Sequence, residues 1–317
     1  MKVTNTIQSG IPGVSTAPFA LRSFLRVFQQ EDLNFLLTNR IPRRYATLFM
    51  GFWSGIRSPA LTRLSIAVWQ LFADDLALHE AEHTNFGSLQ ECFTRQLRKG
   101  ARPIDGDPAV VVSPCDAVVG AHGRVTRGRV FQAKGFPYTA RDLFGSDELA
   151  ARHEGGLFVT LRLKSNMYHR FHAPMEARLE RVRYLSGDTW NVNPIALRRV
   201  ERLFCKNERA VLELAPEADG ASLAMVCVAS ILVASMEIHG AGRALDLRYD
   251  GPRVIDCRGA TVRKGEELGL FRSGSTIVLF VNGPYELVRG TNEGHTIRMG
   301  EPLLRRTDNR VERERPE

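Results

Sequence analysis

Cysteine is scarce in this chain and has no paired pattern: Cys92, Cys115, Cys205, Cys227 and Cys257 are scattered through 317 residues without a C-x-x-C. An odd, dispersed set argues against a disulfide framework and for a reducing compartment. Long apolar runs are missing as well. The most membrane-like stretch, residues 45–73, is interrupted by Arg57 and Arg63 and broken at Ser58-Pro59. Neither half reaches the roughly 20 apolar residues a spanning helix needs. The first 16 residues lack the apolar core of a secretory signal, so the expectation is a cytosolic-side protein whose residues 1–30 form a loose arm. No repeat of fixed period occurs, which excludes solenoids and propellers.

What is present is an ordinary globular composition, 44% hydrophobic and 25% charged, enough to bury a full core. Lys and Arg outnumber Asp and Glu by 43 to 35, and the net charge of +8 favours an anionic partner. No aromatic-rich basic repeat accompanies that charge, so nucleic acid is set aside, leaving an acidic lipid surface or a phosphorylated substrate.

Leu61, Leu64, Val68, Leu71 and Phe72 recur at helical spacing and predict an amphipathic helix. Its apolar face has two uses: packing on the protein's own core, or lying on a membrane surface. Phe49, Phe52, Trp53 and Trp69 beside Arg40, Arg43, Arg44 and Arg57 favour the second. Ser88 followed by Glu91 forms a capping box that predicts another helix, with Leu89, Cys92, Phe93 and Leu97 on one face and Gly100 at its end. From Pro108 onward β-rich runs dominate: 109–112, 157–163, 211–214, pieces of 225–238, and 276–281. The expected fold is α+β: the arm 1–30, a helical membrane-associating region 31–104, a β-rich catalytic domain 105–304, and a charged tail 305–317.

Residues 79–83 read His79-Glu80-Ala81-Glu82-His83, a literal H-E-x-x-H that on a helix would offer two imidazoles to zinc. The extended form fails, because Phe86 stands where a glycine is needed, and Gly87 ends any helix early. No metal is expected. The histidines read as exposed polar residues where a helix ends and a turn begins.

Gly274-Ser275-Thr276 lies between two apolar segments. It is not a G-x-S-x-G elbow, since Ser273 and Ile277 occupy the glycine positions. Gly274 leaves its own carbonyl unshielded, so the Ser275 hydroxyl can attack it. That N-to-O acyl shift turns the amide into an ester; elimination leaves dehydroalanine at a new N-terminus, and hydrolysis releases ammonia and a pyruvoyl group. The tripeptide alone also fits a turn entering a strand. Tyr168-His169-Arg170-Phe171-His172-Ala173-Pro174 supplies two imidazoles, one able to take the Ser275 proton and the other to serve a later step. Asp116, in Ser113-Pro114-Cys115-Asp116, offers a carboxylate to orient an imidazole.

Together these residues resemble the phosphatidylserine decarboxylases, from about Asn85 to Leu304. The likeness rests on ordered blocks: Phe93-Thr-Arg-Gln-Leu-Arg with Arg102-Pro-Ile-Asp, Ser113-Pro-Cys-Asp, Ala133-Lys-Gly-Phe-Pro-Tyr138, Tyr168 to Pro174, and Phe271-Arg-Ser-Gly-Ser-Thr276. Val192-Asn-Pro and Phe204-Cys-Lys-Asn-Glu-Arg209 lie between the last two. Ser273 and Ala117 depart from the family pattern without removing a reacting atom.

The resemblance implies a proenzyme that cuts itself between Gly274 and Ser275 into a β chain, 1–274, and an α chain, 275–317. Asp116, His172 and Ser275 would form the self-cleavage relay, and Gly274 would supply the carbonyl. Ser275 would become the covalent pyruvoyl cofactor, forming a Schiff base with the lipid amine, and His169 would return the proton after decarboxylation. The implied substrate is phosphatidylserine in a membrane, the product phosphatidylethanolamine, and the location the cytoplasmic face of the cell membrane, bound peripherally to an anionic lipid surface. A homodimer stays open. Competing readings are a decarboxylase of a related lipid such as archaetidylserine and an inactive lipid-binding relative.

Overall fold

The computed structural model describes Phe35 and residues 42–73, 75–131, 136–217, 220–231, 235–242, 244–272 and 275–307. The arm 1–30, Arg40, residues 133–135, Ser273, Gly274 and the tail beyond Thr307 lie outside the described residues.

Two helices come first, α1 (Arg43–Gly55) and α2 (Pro59–Phe72). Ser58 caps α2 by accepting the Leu61 N–H, and Pro59 sits in the first turn, where its missing N–H costs nothing. The break seen in the sequence is therefore a helix start. The stripe through Leu64, Val68 and Leu71 is not what packs: Leu64 is 62% and Leu71 60% exposed. Ile66 and Trp69 turn inward instead, onto a small cluster of Ala81, Phe86 and Cys92, and the buried Thr62 hydroxyl donates to Gly87 O at 3.2 Å. On α1, Tyr45, Phe49 and Phe52 are also open to solvent. Arg43 is not a free surface cation, since it pairs with Asp188 at 2.5 Å and lies 3.8 Å over the Trp190 ring, anchoring α1 to the body. No helix among the described residues is long and apolar enough to cross a membrane.

The helix expected from Ser88 to Gly100 is one turn, α3 (Leu89–Phe93). Ser88 Oγ accepts the Glu91 N–H, but Glu91 returns its carboxylate to Gly87 N–H and to His83. Leu97 is instead bridged to Ala81, with Glu82 N donating to Gln96 O and Arg98 N to Glu80 O. Strand-like pairing with residues 80–82 outcompetes helical continuation.

The β-rich part is antiparallel. An eight-stranded sheet runs in the order β12 (Val254–Val262), β7 (Ala177–Leu185), β8 (Arg209–Pro216), β9 (Ser222–Ala229), β14 (Ser275–Asn282), β5 (Leu157–Leu163), β2 (Ala117–Arg124) and β16 (Thr296–Ile297). A four-stranded sheet joins β11 (Leu245–Asp246), β10 (Ser235–Ile238), β13 (Glu267–Phe271) and β6 (Arg170–His172). Strands β1 (Val110–Val112), β17 (Pro302–Arg306) and β15 (Tyr285–Leu287) form a third sheet, and β3 (Arg129–Phe131) pairs with β4 (Pro137–Thr139). Arg305 and Arg306, expected in a solvated tail, thus belong to a strand. Helices α4 (Ala140–Phe144), α5 (Asp147–Arg152), α6 (Pro194–Arg199) and α7 (Leu203–Lys206) cover one face. N-terminal helices followed by antiparallel sheets make the fold α+β.

Strand β14 explains the unbroken apolar run at 276–281. It is covered on both faces: Ile277, Leu279 and Val281 join a core with Leu161 and Cys227, while Val278 and Phe280 join a second with Phe144 and Val226. A strand buried on both sides has no use for polar alternation.

Candidate functional site

Ser275 is the first residue of β14, in register with Leu163 on one side and Ala229 on the other. It is fully buried, and its Oγ has no hydrogen-bond partner. An unsatisfied buried hydroxyl costs free energy of about 1–3 kcal/mol, so its presence at the start of a central strand calls for a chemical reason.

Two residues of the histidine motif sit close by in the chain's hydrogen-bond pattern. Phe271 N–H, at the end of β13, donates to His169 O, so the segment 272–274 begins beside His169 and ends at Ser275. His169 is fully buried; its Nδ1–H donates to Met167 O at 2.8 Å, which fixes the neutral tautomer with a lone pair on Nε2. That Nε2 has no partner. Burial, helped by the Arg95 charge and partly offset by the Met167 bond, lowers the His169 pKa to about 3. His169 is therefore a neutral imidazole with an unpartnered Nε2, and it acts as an acid only after taking up a proton.

His172, in β6, donates Nδ1–H to Gly265 O at 3.0 Å and receives the Tyr168 hydroxyl on Nε2 at 3.1 Å. Burial lowers its pKa, against the Gly265 bond and the Glu267 charge that raise it. The Gly265 carbonyl is presented by a turn with φ of +80°, where a Cβ would come 2.2 Å from Ile104. Only glycine sits there without strain.

Asp116 enters from the turn before β2, a turn braced by Ser113 Oγ donating to Cys115 O at 2.7 Å. Its carboxylate takes Arg102 Nε at 2.9 Å, Arg102 Nη2 at 2.5 Å and the Met299 N–H at 2.9 Å. Arg102 also donates to Glu80 at 2.8 Å. Burial pulls the Arg102 pKa down, but its bonds to Asp116 and Glu80 outweigh that and raise it. The His172 N–H donates to Pro114 O at 2.8 Å, so the Asp116 turn and β6 adjoin. No hydrogen bond links Asp116 to His172, or either to Ser275. The structure places Asp116 and His172 on adjoining elements, joins neither to Ser275, and gives each imidazole a different partner. Gly274, the expected cleavage carbonyl, lies outside the described residues.

The H-E-x-x-H segment has no metal geometry. Leu78–Glu80 is a single 3-10 turn and Ala81 is extended, so His79 and His83 are not stacked on one α-helical face. Glu80 serves Arg102, and His83 meets Glu91.

A cavity of about 520 Å³ lies under the two N-terminal helices, and one of its wall residues reaches the histidine motif. Met50 and Trp53 of α1, Leu64 and Trp69 of α2, and Phe93 of α3 line it, together with Ser165 and Arg272. Trp69 stacks on Phe93 at 5.3 Å, and Phe93 lies 4.0 Å from the His169 ring. An apolar wall thus leads from the helices to the buried imidazole. Sequence reasoning missed four contributors: Tyr168, Arg102, Phe93 and Arg272. All four stood inside quoted blocks, but their side-chain partners are 4 to 76 positions away and no local pattern marks them.

The phosphatidylserine decarboxylase family model matches residues 89–305. A phosphatidylserine decarboxylase proenzyme of Methylibium petroleiphilum is 37% identical over 290 residues, covering 86% of this chain and 97% of that protein. Proteins of the same name from Shewanella amazonensis and Vibrio parahaemolyticus are each 33% identical, covering 88% and 83% of this chain and 100% and 94% of their own.

Proposed function

The chain belongs to the phosphatidylserine decarboxylase family, and from that premise we propose that it is a self-processing proenzyme that cuts its 274/275 bond and decarboxylates phosphatidylserine to phosphatidylethanolamine. The observation that carries the proposal is the fully buried, unpartnered Ser275 Oγ at the head of β14, together with the unpartnered Nε2 of His169, whose carbonyl holds Phe271 N–H four residues before Ser275 in sequence.

In processing, an imidazole takes the Ser275 proton as Oγ bonds to the carbonyl carbon of residue 274. The C–N bond then breaks and the amide becomes an ester. His169 is neutral and has a free lone pair, while the His172 lone pair is held by Tyr168. We assign the relay role to His172 with Asp116, after Tyr168 yields its hydrogen bond, and assign His169 to proton return in decarboxylation. Arg102 and Glu80 hold Asp116 in place. Elimination and hydrolysis of the new terminus release ammonia and leave a pyruvoyl group at 275.

The site fits that group: the position is fully buried, and its side-chain oxygen has no bond to lose. When formed, the group supplies a carbonyl that takes up the electron pair left by departing CO2. The residues around it position the lipid. Trp53, Trp69 and Phe93 exclude water from the apolar part, and Arg272, which is paired with Glu237, also lines the cavity. The exposed Tyr45, Phe49, Phe52, Leu64 and Leu71 with Arg44 and Arg57 support peripheral docking on an anionic membrane.

The test is turnover of detergent-dispersed phosphatidylserine, followed as phosphatidylethanolamine by mass spectrometry. Wild type should form it, Ser275→Ala should form none, and His169→Ala should split but turn over at least a hundredfold more slowly. An active Ser275→Ala protein would refute the proposal.

A further inference from the structure

The sheet face turned away from Ser275 holds a feature that processing does not use. Side chains alternate along β5 and β14, so Ser275, paired with Leu163 and Ala229, faces one core, while Thr276, paired with Arg162, faces the other side. On that other side a separate cavity of about 330 Å³ is lined by Val118, Gly120, Thr160, Arg162, Leu197 and Arg198. Thr160 is 3% exposed and its hydroxyl has no hydrogen-bond partner; the fully buried Thr276 hydroxyl on the same face has none either. Among the described residues, no carboxylate or carbonyl engages the Arg162 guanidinium. Burial alone pulls its pKa down, with no acidic neighbour opposing. The acid nearest in the cavity wall, Glu293, is exposed and makes no ion pair with it.

A half-buried guanidinium without a counter-ion loses part of its hydration, and a buried hydroxyl without a partner is costly. Both costs vanish if one oxyanion sits between them. We propose that this cavity binds a phosphate monoester, held by the Arg162 fork and the Thr160 hydroxyl between β2, β5 and α6. Arginine presents a planar pair of donors that matches phosphate bidentately. Arg198 adds positive charge to the wall, and Val118 and Leu197 give apolar flanks that suit an attached carbon chain. The bound group would lie over β2 and β5, beneath α6.

The test is calorimetric titration of the full chain with inorganic phosphate and, separately, with a short-chain phosphatidate below its micelle concentration, at fixed ionic strength. Wild type should bind at least one of them. Equal affinity identifies free phosphate as sufficient, and a preference for the phosphatidate identifies a lipid headgroup. Arg162→Gln should weaken binding at least tenfold, as expected for loss of a charge-assisted bidentate contact. Glu293→Gln, which removes a like charge from the cavity wall, should not weaken it. Gly120→Ala places a methyl 3.4 Å from the Thr160 side chain and narrows the cavity without touching charge, so it should also weaken binding. It carries the test if Arg162→Gln does not fold. Unchanged affinity in Arg162→Gln and Gly120→Ala, or no binding of either probe at millimolar concentration, overturns the proposal. The titration is repeated on uncut Ser275→Ala, so its outcome is independent of processing.

Discussion

His153 gives the sharpest prediction about how acid acts on the strand that carries Ser275. It is fully buried behind α5, its ring lies 5.6 Å from Phe144 and 5.9 Å from Phe280 of β14, and neither ring nitrogen has a partner. Burial, with a smaller push from Arg152, lowers its pKa from 6.5 to about 4. The unfolded chain therefore binds a proton below pH 6.5 that the folded chain refuses until about pH 4. The stability linked to the neutral ring is complete above 6.5 and is lost as pH falls between these values. At pH 5 about 1.5 pH units of that window are engaged, or about 2 kcal/mol. His153→Leu removes the titrating group and keeps an apolar side chain of similar size. Urea unfolding of uncut protein should show wild type losing about 2 kcal/mol relative to the variant between pH 7.5 and pH 5. His169 titrates alike in both and cancels. A wild-type-to-variant difference that is the same at both pH values would refute the reasoning.

Arg102→Met strands the buried Asp116 carboxylate, while Glu80 keeps Arg298, and should cost about 3 kcal/mol in urea unfolding, with Arg102→Lys recovering part of it. Tyr168→Phe removes one hydrogen bond to His172, worth about 1 kcal/mol, and should change the rate of chain splitting roughly fivefold while the fold survives, as timed by gel densitometry. Gly269→Ala would put a Cβ 2.2 Å from Glu237 O and 2.7 Å from Phe171, prising β10 from β13, and should reduce soluble yield and the thermal midpoint sharply. Phe52→Glu with Leu71→Glu, both on exposed positions, should lower sedimentation with anionic vesicles at least tenfold and leave the unfolding midpoint within error.

Much of the fold was legible because its signals are local. The Ser58-Pro59 start of α2 and the apolar runs that became β5, β8, β9 and β14 need only their own residues to be read. Where long-range pairing decides, the sequence misled. The capping box at Ser88 is formed, yet the helix stops after Phe93 because residues 96–98 pair back onto 80–82. The apolar stripe of α2 was read correctly as periodic, but Ile66 and Trp69, off that stripe, are what pack. The candidate residues Asp116, His169, His172 and Ser275 were chosen by residue type and order. Their partners were not, since Arg102, Tyr168 and the Gly265 carbonyl act across turns and sheets. His169 differs most from expectation. Its chemistry was assumed from histidine's usual pKa, and burial makes it a neutral base instead.

The central claim, that the 274/275 bond breaks and Ser275 becomes a carbonyl group, is tested most directly by intact-mass measurement of the purified chain. The account predicts two species that separate on denaturation, residues 1–274 and 275–317, the second with a blocked N-terminus lighter by the mass of a serine-to-pyruvoyl conversion, and a Ser275→Ala chain that stays whole. A wild-type chain that remains a single 317-residue species under the same conditions, or a Ser275→Ala chain that still splits there, would contradict it.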